Sequence, residues 1–108
     1  MTLKEVIIAA IEEKKGANLT VCDFENQGYI VDAYLIADAP SIRQVAAIVD
    51  QIEESVKKAG YTIYRIEGGK ESRWILVDCG DVVAHIFQTE ERSVYQLERL
   101  WADACKLK

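Results

Sequence analysis

The sequence predicts an α/β fold, a mixed β-sheet of about five strands flanked by helices. Three observations carry that reading. Helical and strand-like apolar spacings alternate along the chain, the 108 residues match one domain spanning 1–108, and half of them are apolar, enough for a single core.

The first element is a helix over residues 3–15, because Leu3, Val6, Ile7, Ala10 and Ile11 fall on one face. Lys14 and Lys15 suit the negative end of its dipole, and Gly16 is its stop. Residues 19–24 alternate as a strand, residues 25–28 are turn-like, and residues 33–37 read as a second, more buried strand. Ser41 is a good N-cap, and Gln44 completes a capping-box pattern. Behind it Ile42, Val45, Val49, Ile52 and Val56 recur at helical spacing until Lys57, Lys58 and Gly60. Residues 61–66 alternate as a strand, and 67–73 form a polar loop. Residues 74–77 and 82–87 are strands joined across Cys79-Gly80, a link short enough for a hairpin. A last helix starts near Thr89 with Glu90 and Glu91 in its first turn, and Val94, Leu97 and Trp101 mark its buried stripe.

Charge and composition exclude several function classes. The net charge is −5, and an acidic surface repels phosphate, which argues against a dedicated nucleic-acid or anionic-membrane binder. The longest apolar run, Val6 to Ile11, is about a third of a membrane span, and the amino terminus has neither secretory-signal nor transit-peptide character. Three cysteines without a C-x-x-C pair do not make a disulfide framework, which fits a reducing cytosol. Acids concentrate in two segments. Residues 19–42 hold Asp23, Glu25, Asp32 and Asp38 with no Lys or Arg, and residues 78–103 hold six acids against Arg92 and Arg99. Side by side in a sheet, they would make one acidic face for a basic partner.

Catalytic signals are weak. His85 is the only histidine and lies mid-strand, and Cys79 across the hairpin has no orienting third group. Four Cys and His residues at unsuitable spacings do not make a zinc site, and no phosphate-binding glycine loop is present. Asp78 and Asp81, with Asp32 or Asp38 as a third ligand, are the one candidate Mg²⁺ set. Aspartates that flank a turn more commonly accept hydrogen bonds from turn amides, and that reading is preferred.

Three blocks of residues carry a resemblance. The first is Trp74-Ile-Leu-Val-Asp78-Cys-Gly80-Asp81-Val-Val-Ala-His85-Ile-Phe87, and the second is Tyr95-x-Leu97-Glu98-x-Leu100-Trp101-x-Asp103. The third runs from Asp32 to the triplet Arg43-Gln44-Val45. In order and at this spacing the chain resembles the ribosomal silencing factor family, also called Iojap-like proteins. It departs from the family pattern at Cys79 and Ala33, where tyrosine is usual. The resemblance implies a fold similar to the nucleotidyltransferase superfold but without its catalytic signature. It also implies a cytoplasmic, non-enzymatic translational repressor without cofactor or metal. Such a protein binds the large ribosomal subunit through ribosomal protein fourteen, blocks joining of the small subunit when nutrients are scarce, and forms a homodimer when free. No DNA or membrane partner is implied. The alternative is a divergent metal-dependent nucleotidyltransferase using Asp32, Asp78 and Asp81.

Within these motifs the partner-binding candidates are Trp74, Asp78, Cys79, Asp81, His85, Phe87, Tyr95, Glu98 and Trp101. Strand alternation divides the hairpin into two faces. Ile75, Val77, Val82, Ala84 and Ile86 form an aliphatic core face. The other face presents Trp74, Asp78, His85 and Phe87 together, with Asp81 at its rim, an aromatic and polar mixture typical of a binding patch.

Overall fold

The computed structural model describes residues 1–24, 31–95, 99 and 105–107. Its elements are α1 (Leu3–Glu13), β1 (Ala17–Asp23), β2 (Ala33–Ala39), α2 (Ile42–Lys58), β3 (Arg65–Glu67), β4 (Trp74–Asp78), β5 (Val82–Gln88), α3 (Thr89–Tyr95) and β6 (Cys105–Leu107). Among the described residues the sheet has six strands in the order β3-β4-β5-β2-β1-β6. That is one more than expected, because three residues ending in Cys105-Lys106-Leu107 carry no strand pattern yet pair antiparallel with β1. β2 and β5 pair in parallel at the centre, and antiparallel ladders flank them.

α1 and α2 cover one face. Val6, Ile7, Ala10 and Ile11 from α1 and Val45, Ile48, Val49, Ile52 and Val56 from α2 are buried against Leu35, Ala37, Ile75, Val77, Val82, Ala84 and Ile86 of the sheet. The hairpin therefore turns inward the aliphatic face that its alternation predicts. Each fully buried aliphatic side chain contributes roughly 1.5–3 kcal/mol relative to exposure. The opposite face carries a smaller cluster of Cys22, Phe24, Ile36 and Phe87, with Val31, Tyr34, Trp74 and Cys105 packed against it.

Several local expectations are corrected. α1 ends at Glu13, so Lys14 and Lys15 lie past its last turn; Lys15 itself takes the left-handed conformation, φ 60°. Gly16 is required by close approach, since a Cβ there would stand 2.5 Å from Ile11 Cγ2. The complete capping box belongs to α1: Thr2 Oγ1 accepts from the Glu5 amide, and the Thr2 amide donates to Glu5 Oε1. At α2 only half a box forms. Ser41 Oγ accepts from the Gln44 amide, while Gln44 Nε2 donates to the Lys14 carbonyl instead. The strand expected over 61–66 shrinks to Arg65–Glu67, because Tyr61 still donates its amide back to Val56 at the end of α2.

The buried stripe of the last helix is also different. Val94 is 72 % exposed, and the residue turned inward is Arg92. Its guanidinium meets Asp38 Oδ2 at 3.0 Å, the Asn18 carbonyl at 2.6 Å and Thr20 Oγ1 at 2.7 Å, while Thr89 Oγ1 donates to Asp38 Oδ1 at 2.8 Å. Asp38 is thus removed from any acidic surface and pins α3 to the sheet. Leu97 and Trp101 lie outside the described residues. Finally, the cysteines, expected to make no disulfide framework, include one bonded pair: Cys22 on β1 and Cys105 on β6 stand opposite each other in register and are disulfide-bonded.

Candidate docking face of the sheet

The face free of α1 and α2 is built by alternate residues of β4, β5 and β2. Register places Trp74 opposite Phe87 and Leu76 opposite His85, and β2 adds Tyr34 and Ile36 beside Val83 and His85. The rings form a continuous chain. Phe24 meets Tyr34 edge-on at 5.4 Å between centroids, and Tyr34 meets His85 edge-on at 5.2 Å. Trp74 in turn stacks on Phe87 at 4.8 Å. Trp74 Nε1 donates to His85 Nδ1 at 3.2 Å, which requires Nδ1 to be unprotonated. Burial pushes the His85 imidazole down to about 4, so it is neutral at physiological pH and can accept this bond.

Depth within the layer separates the candidates. Phe87 is fully buried and His85 nearly so, because Cys22, Phe24 and Ile36 close over them from the neighbouring strands. These two residues support the face from beneath, a correction to the expectation that both are presented on it. Trp74, Leu76, Tyr34 and Asp78 are half-buried and reach its surface. A shallow cavity of about 380 Å³ opens there between Tyr34, Tyr64, Arg65, Leu76, Asp78 and His85. Cys79 is corrected as well: it is buried in the helix-side cluster, where desolvation first and then the Asp78 carboxylate push its thiol up to about 11. An un-ionised, enclosed thiol is a poor nucleophile. The Tyr95 side chain, Glu98 and Trp101 lie outside the described residues. Sequence reasoning missed Tyr34 and placed Leu76 on this side without naming it a candidate. The parity that groups Trp74 with Asp78 also groups Leu76 with them, but only the parallel β2–β5 register brings Tyr34 beside His85.

The segments that carry Asp32, Asp78 and Asp81 meet at one end of the sheet. Asp32 donates its amide to the Asp81 carbonyl at 2.7 Å, and Asp78 closes β4 across from Val83. Asp78 Oδ1 accepts from the Gly80 amide at 2.8 Å, the turn role preferred from sequence. Gly80 needs its positive φ of 88°, and its missing Cβ leaves room for the Tyr64 ring. Asp32 and Asp81 are exposed. The outcome is a half-open aromatic layer with Asp78 at one end, on a sheet whose other side is covered by helices. The chain is thus a small mixed α/β domain with one half-open aromatic face.

The chain is similar throughout to known proteins of one kind. Residues 2–108 match the family described as "Ribosomal silencing factor during starvation", and the chain belongs to that family. It is 38% identical over 103 residues to "Ribosomal silencing factor RsfS" of Bacillus subtilis, covering 95% of this chain and 87% of the relative. A relative of the same description from Haemophilus influenzae is 36% identical over 102 residues, covering 94% of this chain and all of the relative. A crystal structure of a Chromobacterium violaceum protein superposes with a TM-score of 0.85 at 34% identity, covering 94% of this chain and 88% of that one.

Proposed function

We propose that this protein is a non-enzymatic, cytoplasmic repressor of translation. It binds the large ribosomal subunit through ribosomal protein fourteen and sterically blocks joining of the small subunit under nutrient limitation. Family membership supports the silencing role, and a mouse relative at 26% identity is described as a mitochondrial assembly protein of the ribosomal large subunit. The observation that carries the docking site is the half-open aromatic layer led by Trp74, with its indole fixed by His85 and the segments of Asp32, Asp78 and Asp81 at one end. Aromatic anchors in a partly desolvated setting are the groups that dominate interface energetics, and an acidic rim suits a basic ribosomal protein better than it suits RNA. When free, the same layer supports self-association into a homodimer until the ribosome competes for it. Purified large subunits provide the test. The protein is expected to cosediment with them and to lower the yield of joined ribosomes when small subunits are added. Unchanged joining at saturating protein refutes the proposal.

A further inference from the structure

We propose that Cys22 and Cys105 form a reversible thiol–disulfide clamp that seats β6 against β1 and thereby controls the docking face. Low-molecular-weight thiols and disulfides are its reaction partners. The inference rests on the docking reading above and begins from placement. Cys22 pairs with Tyr34 in the β1–β2 register and with Cys105 in the β1–β6 register. The two sulfurs therefore lie on the same face as the aromatic chain, directly beside Tyr34, whose ring meets His85, the hydrogen-bond partner of Trp74. Cys22 and Cys105 also belong to the apolar cluster that includes Phe87 and Trp74. The strand of Cys105 has three residues and is the last in the strand order, paired with β1. The disulfide adds a covalent tie to this short ladder with β1.

Access favours exchange at one sulfur. Cys22 is fully buried, whereas Cys105 is half-exposed. A small thiolate attacks the Cys105 sulfur, forming a mixed disulfide there while the Cys22 sulfur leaves with the bonding electron pair and takes a proton. A second thiol then attacks the small-molecule sulfur, so one protein disulfide and two thiols become two protein thiols and one small disulfide. The reverse reaction with a small disulfide restores the clamp. Cys79 takes no part, being enclosed on the opposite face of the sheet. Disulfides in a reducing compartment are characteristically transient and redox-sensing, so the bond fits a switch better than a staple. With the clamp closed, β6 completes the edge of a fixed layer. With it open, the β1 edge and the cluster under Tyr34 loosen, and a loosened surface docks less well.

The experiment uses the full chain equilibrated with oxidised glutathione or with dithiothreitol. In the oxidised sample, denaturation and alkylation are expected to label one cysteine of three, Cys79; labelling of all three overturns the proposal. Reduction is expected to speed amide exchange at residues 105–107 at least tenfold, and equal protection in both states overturns the clamp. Capture by purified large subunits is expected to weaken about tenfold on reduction, within the range of ordinary coupling between sites. The variant Cys105→Ser should bind like the reduced protein under either condition. Equal capture in both states overturns control of docking while leaving the proposed function standing. No capture in either state refutes the docking reading instead, and amide exchange then decides the clamp by itself.

Discussion

Replacing Trp74 separates its packing from the docking role proposed for it. Its ring lies on Phe87 at 4.8 Å, its Nε1 donates to His85 at 3.2 Å, and the side chain is half-buried. Truncating a fully buried tryptophan to alanine costs about 3–5 kcal/mol. With most of that surface buried and only part of it in solvent, Trp74→Ala should cost roughly 2–4 kcal/mol of stability, which a typical domain with ~5–15 kcal/mol survives. Docking should suffer as well. Loss of a central aromatic anchor weakens binding by about 2 kcal/mol or more, some thirtyfold in affinity. Trp74→Phe keeps a ring against Phe87 but loses the donor to the buried His85 Nδ1 and part of the ring surface, so its stability loss should be about 1–2 kcal/mol, below that of the alanine variant. Titration of each variant against purified large subunits by sedimentation, alongside thermal unfolding, reads both quantities. Trp74→Ala binding within threefold of the parent refutes the docking role. Loss of cooperative unfolding instead assigns the residue to the core.

Three further outcomes follow from the same geometry. Arg92→Met leaves the Asp38 carboxylate buried without its cation, so urea unfolding should show a loss of about 3–5 kcal/mol, partly restored by adding Asp38→Asn; a loss below 1 kcal/mol contradicts the pairing. His85 titrates at about 4 in the folded chain against an ordinary 6.5, so between those values the unfolded state binds more protons and stability falls as pH falls. The full gap is worth roughly 3 kcal/mol, and His85→Gln should flatten the profile between about pH 5 and 6.5, where this sole histidine is the expected contributor. Asp81→Ala should slow association with the large subunit at low salt and have little effect at high salt, as for an exposed rim charge; an equal effect at both salt levels argues against steering.

What the sequence reveals here follows the reach of local chemistry. Alternation in Ile75-Val77 and Val82-Ala84-Ile86 marks the core face because a strand's period of two acts residue by residue. The same parity groups Trp74 with His85 and Phe87, so the composition of the docking face is legible while its depth is not. Phe87 is sealed by Phe24, Ile36 and Cys22, which come from strands far away in sequence. Arg92 is hidden for a related reason. A helix position with a guanidinium reads as solvent-facing unless its partner is known, and Asp38 stands 54 residues away. The strand β6 is three residues long, and its place in the sheet is set by β1 and a sulfur bond, neither of which leaves a periodic trace.

The parallel pairing of β2 with β5 also bears on when this protein can act. β2 is complete at residue 39, but its second neighbour arrives only with residues 82–88. During synthesis at ~5–20 residues per second, an apolar strand stands for several seconds with one edge open. Tyr34 meanwhile waits for the His85 ring that completes its surroundings. The aromatic layer cannot form on a nascent chain that has not yet delivered β5, so the surface proposed for docking comes into being only after residue 88 has been made.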